Sequence, residues 1–281
     1  MNIQWYPGHM TKAKRMMQED IKLIDIVIEL LDARVPFSSR NPDIDDLAKN
    51  KYRLIILNKV DLADDRSTAI WEDHYKKLGF HVVKLNSKTG AGIKSITGVV
   101  QTACKDKIER DKKRGILNRP IRAMVVGIPN VGKSTFINSF AGKACTKVGN
   151  KPGVTKGKQW IRINKNVELL DTPGILWPKF EDNEVGTNLA YIGSINDNII
   201  NTTELAYELL KYIHKNYCNM LAERYNIEES EDAIKNLELI AIVRQCKLKG
   251  NELDLDKAAM LFIDDYRCGK IGRITVELPK K

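Results

Sequence analysis

The chain has 281 residues, 43% of them hydrophobic, and a formal net charge of +10, which allows one large domain with a smaller one and excludes global disorder. No apolar run is long enough for a transmembrane helix, and Met1–Pro7 lacks the basic-then-apolar pattern of a secretion signal, so the cytoplasm is the expected compartment. The five cysteines, at 104, 145, 218, 246 and 268, fit neither a disulfide framework nor a zinc site.

In chain order, Tyr6 to Asp25 reads as a helix ahead of a first strand, Ile26 to Leu31. Further β-branched, apolar runs predict strands at Leu54–Leu57, His81–Leu85, Ala123–Val126, Trp160–Ile163 and Val167–Leu170. Helices are expected at Arg66–Leu78 and Ile93–Arg114. Strands alternating with helices predict an α/β fold, a mainly parallel sheet covered on both faces, with the last two strands as an antiparallel hairpin. From Thr203 the pattern is helical only. One helix is expected to be capped by Thr203 or Thr202 and to carry Leu205, Leu209, Tyr212, Ile213 and Leu221. A second is capped by Ser230 and stopped by Gly250, and a third runs from Asp254 to Cys268. The expected division is a nucleotide-binding domain over 1–185, a linker over 186–202 and a small all-helical domain over 203–281.

Gly127-Ile-Pro-Asn-Val-Gly132-Lys133-Ser134 matches G-x-x-x-x-G-K-[ST] without a gap, after a strand and before a helix expected to begin near Thr135. Such a loop turns backbone N–H groups toward phosphate oxygens at a helix N-terminus. Asn130, Val131, Gly132, Lys133, Ser134 and Thr135 are therefore candidate nucleotide contacts. Lys133 supplies charge to the β- and γ-phosphates, and the Ser134 hydroxyl is a candidate Mg²⁺ ligand. Asp171-Thr-Pro-Gly174 ends a strand about 40 residues downstream. Alone it is a turn. After a phosphate loop it reads as a metal-side switch, with Asp171 holding Mg²⁺ through water and the Gly174 N–H sensing the γ-phosphate. Thr155, between the two, is the candidate mobile threonine that closes on Mg²⁺ and the γ-phosphate.

Asn58-Lys59-Val60-Asp61 follows a strand, and Asp61 can accept from the N1–H and exocyclic amine of guanine. Adenine would leave that carboxylate unpaired. Asn58 can bond the base edge, the Lys59 stem can cover the ring, and Ser87-Lys88-Thr89 can offer backbone N–H groups to the guanine carbonyl. N-K-x-D by itself is a weak match. Together with S-K-T and a phosphate loop it predicts GTP and GDP as ligands.

The motif order is permuted relative to Ras-like GTPases: the guanine tetrad and S-K-T precede the phosphate loop. With Trp5-Tyr-Pro-Gly-His9-Met10, Asp32-Ala33-Arg34-Val35-Pro36, Asp264-Asp265-Tyr266 and Gly269-Lys270, the chain resembles the circularly permuted GTPases of the ribosome biogenesis GTPase A family over nearly its whole length. The resemblance implies a Ras-like P-loop GTPase sheet in permuted order with a small all-helical C-terminal domain that contacts RNA. It further implies GTP hydrolysis to GDP and phosphate in assembly of the large (50S) ribosomal subunit, with rRNA as partner; Mg²⁺ is the cofactor expected from the phosphate-loop and D-T-P-G motifs, and a monomer is the expected state. Permutation places the D-T-P-G switch directly before the C-terminal helices, so a two-state element at 172–190 could couple nucleotide state to them.

Ile175 and Leu176 stand where many GTPases have a water-orienting glutamine, so slow intrinsic turnover is expected. The resemblance points to His9 as a catalytic stand-in; the competing reading is a surface or capping histidine. It also makes Asn130 a candidate K⁺ ligand, against a plain loop asparagine. Lys143, Lys147, Lys151, Lys156 and Lys158 surround Thr155 in a stretch free of acids and form a candidate RNA-sensitive switch. Basic residues at Lys105–Arg119 fit a solvated helix face better, whereas Arg244, Lys247, Lys249, Arg267, Lys270 and Arg273 are candidate RNA contacts. The alternative function is a nucleotide-gated RNA-binding module outside ribosome assembly, in tRNA modification or signalling. A P-loop kinase is disfavoured by the guanine motifs.

Overall fold

The computed structural model describes residues 9–117, 119–143, 159–171 and 182–279. Its elements, in order, are α1 (His9–Asp20), a 3-10 turn (Ile21–Leu23), β1 (Ile26–Asp32), α2 (Asp43–Leu47), β2 (Tyr52–Asn58), α3 (Asp65–Lys77), β3 (His81–Leu85), α4 (Ile93–Ala103), α5 (Lys105–Lys113), β4 (Ile121–Val126), α6 (Lys133–Ala141), β5 (Gln159–Arg162), β6 (Val167–Asp171) and α7 (Asn183–Tyr191). A second 3-10 turn (Asp197–Ile199) leads to α8 (Thr202–Asn216), α9 (Met220–Tyr225), α10 (Ala233–Val243) and α11 (Leu255–Arg267).

The six strands form one sheet in the order β3-β2-β1-β4-β6-β5. All neighbours are parallel except the β5–β6 hairpin. The central strands β1 and β4 are buried along nearly their whole length and mostly apolar, as strands covered on both faces are. In β1, Ile26, Ile28 and Leu30 pack with Leu54, Val125 and Phe136 on one side. Val27 points to the other, against Met17, Ile21, Ile44 and Met124, and Leu31 packs with Ile55 and Trp71. Each such aliphatic side chain stabilises the fold by about 1.5–3 kcal/mol on burial.

Several helical expectations need correction. The helix expected over Ile93–Arg114 is two, broken at buried Cys104; Lys107 of the second pairs with Asp25 and, one turn on, with Asp111. Asn201, not Thr202 or Thr203, caps the first C-terminal helix, accepting from the Glu204 N–H; the helix stops at Asn216, and Leu221 belongs to the separate α9, because Asn219 takes a left-handed φ of 66°. Asp232, not Ser230, caps α10, accepting from the Ile234 N–H. Ser230 instead donates its N–H to Asn236 Oδ1. Gly250 does not stop α10, which ends at Val243; it turns the chain within the Lys247–Leu253 bridge.

Residues 186–202 carry the end of α7 and a packed turn, with Asn188, Leu189 and Ser194 buried. The segment after α11 returns to the sheet side of the molecule. Val276 N–H donates to Arg34 O, and Trp71 Nε1 donates to Glu277 O. No helix among the described residues is long and apolar enough to cross a membrane.

Candidate nucleotide site

Parallel pairing brings the functional loops to one edge. Asp32 at the end of β1 lies opposite Asn58 at the end of β2, which lies opposite Leu85 at the end of β3. β1 and β4 are neighbours, and the sheet order runs outward from them in opposite directions. The crevice at the carboxyl ends of such a divide is where doubly wound sheets bind ligands. The loop Gly127–Gly132 fills that position. α6 begins at Lys133, two residues before the expected Thr135, with Gly132 as its cap residue.

Asn58 joins the two halves of the site. Its Nδ2 donates to Val131 O in the phosphate loop at 2.8 Å, and its Oδ1 accepts from Ser87 Oγ at 2.8 Å and the Ser87 N–H at 3.2 Å. Its amide, expected on the base edge, is thus buried and engaged by protein on both sides. The N–H groups of Lys88 and Thr89, expected to face the guanine carbonyl, donate to Asn86 Oδ1 here. Asp61 is exposed at the mouth of the site.

Lys59 adopts a left-handed φ of 61°, and its Nζ donates to Asn130 O at 2.8 Å. It also pairs with Asp32 Oδ2 at 2.9 Å. Burial pulls its ammonium below the ordinary lysine range, against the opposing pull of Asp32. Asp32 is fully buried. Desolvation would raise its carboxyl, but Arg34 and Lys59 together hold it well below the usual carboxylate range. Arg34 binds Asp32 with two nitrogens, at 2.9 and 2.8 Å, and lies over the Tyr266 ring. Sequence reasoning registered Asp32-Ala33-Arg34 only as a likeness; its role as the brace behind Lys59 comes from the fold. The signal available in sequence was an Asp-x-Arg pair at the end of a buried strand.

Lys133 Nζ donates to Gly127 O and Ile128 O, both at 3.1 Å, which keeps the ammonium curled within the loop. Asn130 has a φ of 60° and donates its side-chain amide to Gly193 O at 2.6 Å, so the nitrogen of the candidate K⁺ ligand is committed to protein. Ser134 sits at the start of α6, and Asp171 ends β6 opposite Val125. The Asp171 side chain lies outside the described residues; a serine hydroxyl and an aspartate carboxylate are the donor types that a hard, oxygen-seeking cation such as Mg²⁺ takes. Thr155 and Gly174 lie outside the described residues, as do Lys147, Lys151, Lys156 and Lys158 of the basic switch and most of 172–190. His9 opens α1, but its side chain is likewise outside them.

Four of the candidate RNA contacts are engaged within the protein, Arg244 and Lys270 both on Asp265, at 3.4 and 3.1 Å. Arg267 binds Asp197 and the carbonyls of Ala190 and Tyr191. Arg273 binds Asp65 and the carbonyls of Val60 and Ala63. Lys247 and Lys249 remain exposed.

A phosphate loop at the β1/β4 divide, clamped by Asn58 to a guanine tetrad encoded upstream of it, defines a circularly permuted P-loop GTPase, a GTP-binding and GTP-hydrolysing protein. A family model described as "50S ribosome-binding GTPase" matches residues 122–245, starting on β4 and leaving β1–β3 outside. The chain is 48% identical to ribosome biogenesis GTPase A of Bacillus cereus, over 100% of this chain and 95% of that protein. It is 34% identical to the Thermotoga maritima protein of the same name, over 99% and 95%. The solved GDP-bound YlqF superposes with a TM-score of 0.68 at 28% identity, covering 95% of this chain and 100% of that one. The chain belongs to the ribosome biogenesis GTPase A family.

Proposed function

We propose that this protein is a Mg²⁺-dependent GTPase that times assembly of the large (50S) ribosomal subunit, binding rRNA in a nucleotide-dependent way and acting as a cytoplasmic monomer. The observation that carries the nucleotide assignment is Asn58, whose one amide ties the phosphate loop to S-K-T beside Asp61. Lys133 turns from the loop carbonyls to the β- and γ-phosphates. Asp61 reads guanine. Ser134, Asp171 and Thr155 hold Mg²⁺, which shields the phosphate charge when bound. The ribosomal setting rests on kinship with the relatives named above.

RNA contact falls to the lysines around Thr155 and to Lys247 and Lys249. Arg267 and Arg273 serve the protein's own structure. Binding to purified large-subunit particles should be tighter with a non-hydrolysable GTP analogue than with GDP. It should also fall steeply with salt as lysine–phosphate contacts release counterions. Lys156→Glu with Lys158→Glu should shrink both effects, and Lys247→Glu with Lys249→Glu should flatten the salt slope without lowering the melting temperature. Equal binding in both nucleotide states defeats the timing role.

His9 supplies the water handling that Ile175 cannot. His9→Ala should lower particle-stimulated kcat by roughly 10- to 1,000-fold while GDP affinity holds. Wild-type single-turnover rates in that variant would shift the chemistry to K⁺ at Asn130 or to a ribosomal group.

A further inference from the structure

The phosphate loop is held from outside the nucleotide core. Pro129 O accepts from the buried Ser194 Oγ at 2.8 Å, and Gly193 O accepts from Asn130 Nδ2 at 2.6 Å. Both partners sit in the turn that ends α7. There Gly193 has a left-handed φ of 71° and donates to Ala190 O, while Ser194 N–H donates to Leu189 O. This is the double-bonded helix stop that needs a glycine-like backbone.

Arg267, at the far end of α11, seals that turn. Its guanidinium donates to Ala190 O at 2.8 Å and Tyr191 O at 3.1 Å, and Asp197 fixes it with bonds of 2.7 and 2.8 Å. It lies so close to Gly193 that a Cβ there would come within 3.3 Å of it. Arg267 O in turn accepts from Arg34 Nη1 at 3.2 Å. The contacts close on themselves, from Asn130 O to Lys59, to Asp32, to Arg34, to Arg267, to the Gly193 turn and back to the Asn130 side chain.

We propose that Arg267 is a positioning residue for the phosphate loop: from the C-terminal helix it fixes the Gly193–Ser194 turn, which sets the conformation of Pro129 and Asn130 and so the grip on nucleotide. Asn130 holds a left-handed backbone that costs free energy to maintain, and it does so between two bonds, one from each arc of the ring. Loosening Arg267 frees one of those arcs. The C-terminal helices are thereby part of the nucleotide site in its resting geometry, by a route that does not pass through the D-T-P-G switch. A partner that shifts α11 would act on nucleotide exchange through Arg267.

This inference rests on the reading of Gly127–Ser134 as the phosphate loop, and the test separates the two. Release of fluorescent GDP is measured by stopped flow on the full chain, with melting temperature alongside. Lys133→Ala should abolish tight binding; if it binds as wild type does, the phosphate-loop reading and the proposal fall together. With that control in place, Arg267→Ala should speed GDP release about 5- to 100-fold, within the usual range of coupling between sites. Asn130→Ala should do likewise, and the double variant should be no faster than the faster single one, because both act on one bracket. Ser194→Ala cuts the Pro129 contact while leaving Arg267 in place, and it should accelerate release by a smaller factor even if Arg267→Ala folds poorly. Wild-type release from both Arg267→Ala and Ser194→Ala, or multiplicative effects of Arg267→Ala and Asn130→Ala, would overturn the proposal.

Discussion

Asn58 and Gly132 meet so closely that a Cβ on the glycine would lie 2.6 Å from Asn58 Nδ2. Gly132 also has a φ of 100°, which side chains resist at a cost of about 1–3 kcal/mol. Gly132→Ala should therefore push Asn58 off Val131 O and Ser87 as well as strain the start of α6. The expected result is a melting temperature lower by roughly 5 °C and GDP affinity lower by at least about tenfold. Asn58→Ala removes the clamp without the strain, so it should weaken GDP with a smaller loss of melting temperature. Calorimetric titration and thermal unfolding of the two variants separate the effects.

Asp61 has a different character, being exposed where Asn58 is buried. Asp61→Asn should leave stability within about 0.5 kcal/mol of wild type. GTP should weaken by roughly 10³- to 10⁴-fold, the scale of leaving a base donor unpaired. Xanthosine triphosphate should gain, since its C2 oxygen accepts from an amide. Competition of the two nucleotides for the variant measures the switch directly, and unchanged GTP affinity would remove Asp61 from base recognition.

What sequence could reveal here depended on range. The phosphate loop, the guanine tetrad and all six strands were legible because each is a local pattern, a β-branched run or a fixed spacing of glycines and polar groups. The permuted order was legible for the same reason. Arg34 and Arg267 stand 233 positions apart, and no spacing rule reaches that far. Arg267 and Arg273 therefore read as free surface cations when each is bound to a carboxylate and to backbone carbonyls. Asn219 breaks an amphipathic pattern that otherwise continues from Leu205 to Leu221, because a local left-handed turn is compatible with the same apolar spacing.

The C-terminal tail carries a pH-sensitive latch. Glu277 is buried, accepts from Ser38 Oγ at 2.5 Å, from Asn188 Nδ2 at 3.0 Å and from the N–H groups of Phe37 and Ser38. Burial pushes its carboxyl up to about 7, with those hydrogen bonds opposing the rise. The folded state then keeps this proton over a range in which the unfolded chain has lost it. Stability from the protonated acid is full below the unfolded value near 4.5 and is lost as pH rises to about 7. The total change is on the order of 3 kcal/mol. Glu277→Gln stays neutral throughout, so its melting temperature should vary less than that of wild type between those limits. Thermal melts across that range check this, and parallel curves would show that another group governs the slope.

Asp32 bears two cations at once, and its loss should be felt in two measurements. Asp32→Asn leaves Arg34 and Lys59 buried or half-buried without their counter-charge, and breaking such a pair costs about 3–5 kcal/mol. Folding should weaken accordingly in chemical denaturation. Nucleotide affinity should fall as well, since Lys59 loses the partner that aims it at Asn130 O. Replacing the pair with apolar groups, Asp32→Leu with Arg34→Met, should recover part of the stability, because a packed apolar pair avoids the desolvation of two charges. It should not recover nucleotide affinity, because Lys59 still lacks its anchor. A double variant that regains both would show that Asp32 acts only through the packing of β1. One that regains stability alone assigns Asp32 to the positioning of Lys59.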